Sequence, residues 1–351
     1  MLAYIHIPYC DSKCHYCSFN SYVDKFDTRA DYMRALKEQL RFELERFETE
    51  EDSIETLFIG GGTPSTVAPE LYEPIFELLD PHMKQNAEIT LEANPNSASE
   101  KWLRGMKKLG ANRISFGVQS FNAKKLERLN RAHSPKQAKD AIITAKESGF
   151  EHISLDLIYN CLGDTESSLQ SDIDTAFDLP IDHISAYELT IEPHTRFAHT
   201  PSMRQENDSL AFFIAKQIVD RGFEHYEVSN FGRYRSRHNE GYWQLKDYIG
   251  AGAGAVGFLR NSRFYPHTDI DAYIKEPLHA EREDLTPSQL LTEKIFLGLR
   301  SRIGILRSDL TEEMRTRADM LVEEKKLRRT ETRYHNPDFF IADALALYLL
   351  G

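Results

Sequence analysis

The sequence predicts an α/β fold: an incomplete, TIM-like barrel of six β/α units, followed by a small C-terminal domain of helical, winged-helix-like character. Three observations predict it. Short β-like runs alternate with helical patterns, each run has the length of a buried strand, and glycine-rich or polar residues stand just past the runs, where parallel α/β sheets gather ligands. The 351 residues suffice for one large domain and an appendage, with the expected division at 1–260 and 261–351.

The runs fall at 2–8, 56–60, 88–93, 113–118, 152–159 and 183–191. The first crossover, 28–47, carries Tyr32, Ala35, Leu36, Leu40 and Leu44 at the spacing of one helix face, with charged residues elsewhere. Further helices are expected at 69–79, 98–109, 135–148, 165–177 and 205–221. A full eight-unit barrel needs two more repeats, which the pattern does not supply. From about Thr286 the texture becomes helix, helix and a hairpin-like tail, with 327–334 and 339–342 flanking a turn at His335-Asn336-Pro337-Asp338.

Composition narrows the function. An apolar share of 41% supports a sizeable core, and a net charge of −12 argues against nucleic acid or an anionic membrane as the main partner. No signal-peptide pattern opens the chain, and no apolar stretch is long enough to span a bilayer. The expectation is a cytoplasmic protein with free thiols.

Three of the four cysteines, Cys10, Cys14 and Cys17, stand in one loop directly after the first run. Converging thiolates make a soft-ligand site, suited to zinc or to an iron–sulfur cluster. Zinc stays open on ligand type, but a closed zinc site wants four ligands and only His6 and His15 stand nearby. A disulfide is poorly matched by three clustered cysteines. A [4Fe–4S] cluster on three cysteines leaves one iron free for another ligand.

The spacing C-x3-C-x2-C with Tyr16 before the last cysteine resembles the cluster motif of radical S-adenosylmethionine (SAM) proteins. In that family the open iron chelates the amino and carboxylate groups of SAM, and an electron from the cluster breaks a C–S bond of the sulfonium. Gly60-Gly61-Gly62-Thr63-Pro64, Leu91-Glu92-Ala93-Asn94-Pro95, Gly117-Val118-Gln119-Ser120 and Asp156-Leu157-Ile158-Tyr159 follow at successive strand ends. Together these segments look like the oxygen-independent coproporphyrinogen dehydrogenase branch, from Tyr4 to the C-terminus. The resemblance implies cluster ligation by Cys10, Cys14 and Cys17. It implies SAM contacts from Tyr4, Tyr16, Gly61, Gly62, Thr63, Glu92, Gln119, Arg131 and Asp156, with the planar fork of Arg131 suited to the SAM carboxylate.

Two features separate the chain from the dehydrogenase, which has a longer N-terminal arm and a further cysteine where this chain has Phe19. Both are similar to a haem-chaperone subgroup, whose His-Asn-x-x-Tyr-Trp motif matches His238-Asn239-Glu240-Gly241-Tyr242-Trp243. That resemblance implies haem as a bound group, His238 as its candidate ligand and haem-accepting proteins as partners. A histidine capping a loop over the barrel is the plainer reading of the same residues. Relatives usually read Gly-Leu-Pro-Gly after Asp-Leu-Ile-Tyr, where this chain has Asn160-Cys161-Leu162-Gly163, and Val256 stands where they usually have His. Cys161 reads as a small apolar filler. Two competitors remain: decarboxylation of coproporphyrinogen III, and a DNA-binding regulator acting through the C-terminal domain.

Overall fold

The computed structural model describes residues 1–351. The expected runs form six parallel strands: β1 (Leu2–Ile7), β2 (Ile54–Gly61), β3 (Met83–Ala93), β4 (Arg113–Gln119), β5 (His152–Tyr159) and β6 (His183–Glu188). Each pairs in parallel with the next, from β1 to β6. The crossover helices are Arg29–Arg46, Pro69–Leu79, Glu100–Lys108, Pro135–Glu147 and Glu166–Phe177. Ser134 and Thr165 start the last two with capping boxes.

After helix Asp208–Asp220 come β7 (Glu224–His225), β8 (Asn230–Gly232), helix Arg237–Trp243 and β9 (Tyr248–Ala251). Strand β9 pairs in parallel with β1, so the sheet holds a seventh parallel strand that the sequence pattern did not supply. It is short and reads Tyr-Ile-Gly-Ala, too brief for a hydrophobic run. Strand β8 lies antiparallel on β6 at the other side. The sheet continues past β9 through β10 (Gly257–Leu259), β11 (Ser262–Pro266) and β12 (Ala280–Asp284), and it does not close.

Strands β10 and β11 are antiparallel neighbours, so the expected division at 260/261 cuts a hairpin of the main sheet. The two cores separate further on. Fifty-six buried residues form the main core, while a second core of 12 begins at Ile295. That second unit has helices Pro287–Leu299, Glu312–Glu323 and Ala342–Leu350 around β13 (Ile305–Leu306), β14 (Arg328–Arg329) and β15 (Arg333–His335). The expected hairpin turn at 335–338 is wrong. The turn lies between β14 and β15, and Asp338 caps the 3-10 turn Phe339–Ile341 that leads into the last helix.

Alternation along the strands sorts the residues. Ala3, Ile5, Ile7, Leu57, Ile59, Leu91, Ile114, Phe116, Leu155 and Leu157 join the main core under the helices. The intervening positions are mostly polar and face the barrel lumen, among them His6, Glu88, Glu92, Arg113, Ser115, Ser154, Asp156 and His183. The hydrophobic core therefore lies between sheet and helices, and the lumen is polar.

Candidate active site

At the C-terminal end of the strands a cavity of about 380 Å³ opens, and its wall includes Cys10, Cys14, Tyr16, Cys17, Gly61, Gly62, Glu92, Gln119, Arg131 and Asp156. Ten of the residues singled out from sequence thus meet in one place. Thr63 stands behind them with its hydroxyl 3.3 Å from Cys10 Sγ. Tyr4 is off the wall, one layer deeper, with its hydroxyl 3.0 Å from His6 Nδ1.

The cysteine loop is held by its surroundings. The N–H of Cys10 donates to the carbonyl of Tyr22, and that of Tyr22 to the carbonyl of Pro8. The N–H of His15 donates to Leu129, Asn130 Nδ2 to the carbonyl of Lys13, and the N–H of Phe197 to the carbonyl of His15. Of the two nearby histidines, His6 is engaged away from the thiols. Both nitrogens of His6 are taken, by the Tyr4 hydroxyl and, at 2.8 Å, by the carbonyl of Asn20. Nδ1 of His15 lies 3.2 Å from the carbonyl of Arg128. Burial pushes the thiols of Cys10 and Cys17 up, and hydrogen bonds to Thr63 for Cys10 and to the backbone at Phe19 for Cys17 pull the other way.

Two of the thiols are linked through side chains. Arg131 donates from Nη1 to Cys14 Sγ at 3.2 Å and from Nη2 to Asn94 Oδ1 and to the carbonyl of Gly117. Asn94 Nδ2 donates to Thr63 Oγ1 at 2.9 Å, and Thr63 reaches Cys10. Sequence reasoning gave Arg131 to a ligand and passed over Asn94. Much of the guanidinium instead braces the cysteine loop, while its buried Nε is left without a protein partner.

The glycines serve close approach. Gly61 has φ +109°, and a Cβ there would run into the His6 ring. A Cβ on Gly62 would come 2.8 Å from the carbonyl of Tyr9. The N–H of Gly61 donates to Glu92 Oε2 at 3.0 Å. Gln119 reaches the cavity from a register shift at the end of β4, with φ +68°.

Glu92 and Asp156 share this polar depth. Burial, with the Asp156 charge adding to it, pushes the Glu92 carboxyl up to about 7. Burial likewise raises Asp156 to about 6, against hydrogen bonds from Ser185 and Ser115. Two acids that resist ionising together, beside open volume, are arranged to receive a cationic ligand.

His238 is elsewhere. Its residue is 1% exposed, with Nδ1 2.7 Å from the hydroxyl of Thr56 at the N-terminal end of β2. The ring packs against Phe58 and Tyr242, and burial lowers its pKa to about 3. The candidate haem ligand thus lies apart from the cavity that the cysteines line, and its Nε2 has no partner in the protein. The ring sits in the barrel floor. Phe19 is 65% exposed on the cavity rim, and Cys161 is buried beside Leu129, Ile158, Leu189 and Phe197 as a filler. Segment 192–204, to which the sequence reading gave no element, borders the site through Glu192, and its Arg204 pairs with the wall residue Glu188 at 2.8 Å. Its short 3-10 turns carry no periodic signal.

Comparison with known proteins identifies the relatives of the chain. The Radical SAM superfamily pattern matches residues 4–176. The heme chaperone HemW of Bacillus subtilis (strain 168) is 34% identical over 88% of this chain and 86% of its own length. Heme chaperone HemW of Haemophilus influenzae is 39% identical over 78% of this chain and 73% of its own. Among solved structures, coproporphyrinogen III oxidase (HemN) from Escherichia coli superposes with a TM-score of 0.82 at 19% identity, over 99% of this chain and 89% of its own, a likeness of fold. The chain belongs to the radical SAM superfamily and, within it, to the family of the heme chaperone HemW.

Proposed function

We propose that this chain is a haem chaperone of radical SAM type, which binds haem and passes it to acceptor proteins. Cys10, Cys14 and Cys17 would hold a [4Fe–4S] cluster, with SAM in the same cavity. The observation that carries the reading is 34% identity to a heme chaperone over 88% of the chain, joined to three thiols on one cavity wall. The cluster, when bound, supplies an electron to the sulfonium of SAM. The chain's own residues supply the rest. Arg131 and Thr63 fix the positions of two sulfurs, Gly61 and Gly62 let the backbone approach a ligand, and Glu92 and Asp156 offer negative charge to a cation.

Coproporphyrinogen oxidation is the competing reading, favoured by the fold match alone. Phe19, in place of that enzyme branch's further cysteine, weighs against it, since a phenyl ring offers neither a thiol nor a metal ligand. Anaerobic reconstitution should give about four irons and four sulfides per chain, lost in Cys10→Ala, Cys14→Ala or Cys17→Ala and unchanged in Cys161→Ala. The reconstituted chain should bind haem stoichiometrically, read from a Soret band. It should form no protoporphyrinogen from coproporphyrinogen III with SAM under reducing conditions. Turnover matching an authentic dehydrogenase assayed in parallel would overturn the chaperone reading.

A further inference from the structure

Away from the cavity, two imidazoles and a carboxylate converge on the connection between β11 and β12. The donor atoms of His267, Glu276 and His279 all lie within 4.8 Å of one another. Nε2 of His267 stands 3.8 Å from Oε2 of Glu276, and the two imidazole rings stack with centroids 4.1 Å apart at 9°. Their backbones are tied in place. The carbonyl of His267 accepts from the N–H of Gly254 at 2.9 Å. Glu276 caps the helix Ile270–Lys275, and the N–H of His279 returns to the carbonyl of Glu276 at 3.2 Å.

We propose that His267, Glu276 and His279 form a binding site for a divalent transition-metal ion of the zinc class. Two imidazole nitrogens and one carboxylate oxygen suit zinc, cobalt or nickel, whereas magnesium and calcium take oxygen ligands. Three protein ligands leave a position for water or another group. Imidazole binds a metal ion in its neutral form. Parallel rings cannot both aim an in-plane lone pair at one ion, so binding turns the exposed ring of His279 out of the stack. Lys275 Nζ lies 3.9 Å from Glu276 Oε1, which leaves Oε2 on the side of His267.

The site adjoins the cysteine loop. Thr268, next to His267, accepts from Asn20 Nδ2 at 2.7 Å and from the Tyr22 hydroxyl at 3.3 Å through its carbonyl. An ion on His267 would stiffen the wall that carries the chain away from Cys17.

The test is equilibrium dialysis of the cluster-loaded chain against zinc alone, with metal analysis and zinc K-edge absorption. The wild type should take up one zinc more than His279→Ala, surrounded by nitrogen and oxygen only. Loss of a ligand should weaken binding by at least the roughly tenfold that outer partners of a metal site are worth. His267→Ala and the shape-preserving Glu276→Gln should therefore show the same weakening, with circular dichroism unchanged. Equal zinc uptake by the wild type and all three variants, or sulfur around the zinc, would overturn the proposal.

Discussion

At the C-terminal ends of the strands, the lumen-facing residues are small or aimed at open volume, as with Gly61, Gly117 and Asp156 beside the thiols. At the N-terminal ends the same strands carry polar groups that mostly find partners in the protein. Glu88 accepts from the Tyr234 hydroxyl at 2.8 Å and from the N–H groups of Arg237 and His238 at 2.9 and 3.0 Å. His183 sits between Ser154 and Tyr226, each at 2.7 Å. The C-terminal domain braces this floor, with the N–H of Arg302 on the carbonyl of Tyr226 and the N–H of Val228 on the carbonyl of Arg300. One alternation thus yields an open site at one end and, at the other, a plug whose polar groups mostly pair within the protein, with His238 Nε2 and Arg113 Nε left over. The His-Asn-x-x-Tyr-Trp segment belongs to the plug.

The largest effect separating the two ends is expected from Glu88→Ala. Three donors lose a shared buried acceptor, which should cost about 3 kcal/mol of folding stability. Urea titration would read it as a lower midpoint, and cysteine-bound iron should persist in the fraction that folds. An unchanged midpoint would mean that Glu88 does not hold the floor.

His238→Ala comes next. Truncating a buried ring should cost about 2 kcal/mol, with haem stoichiometry and Soret band unaltered. Weakened haem binding at unchanged stability would return this residue to the ligand site.

The smallest effect is a pH slope at the open end. Glu92 is raised to about 7, so below that pH the folded chain keeps a proton that the unfolded chain has already lost. Its contribution to stability therefore falls as pH rises from the ordinary carboxylate range to about 7 and is level above. Asp156 adds the same sign up to about 6. Glu92→Gln should flatten that fall, so its urea midpoint should gain on the wild type between about pH 5 and about pH 8. Parallel profiles for the two proteins would exclude Glu92 as the source.

Legibility in the sequence follows the same division. The six central strands lie within a few residues of expectation, apart from an earlier start to β3, because apolar runs bounded by glycine and polar residues mark buried strands. The cysteine loop and the residues past each strand were legible because chemistry and chain position coincide there. Strand β12, Ala-Glu-Arg-Glu-Asp, is an exposed edge without an apolar signature, and β9 is too short for one. The last helix was hidden because Phe339, Phe340 and Ile341 resemble a strand until Asp338 caps the turn. For His238, spacing fixed a motif but not its height in the barrel, which depends on the long-range contacts with Thr56 and Glu88.

Placing the main core outside the lumen separates durability from occupancy. The contacts that resist unfolding run between sheet and helices, through Leu36, Leu91, Phe116 and Ile142, and none of these lines the cavity. Cargo and cofactors can come and go while the surrounding shell keeps its packing. Amide protons of the central strands should then stay protected in the apo protein, exchanging only through whole-chain opening, while those of the cysteine loop gain their protection when the iron is in place.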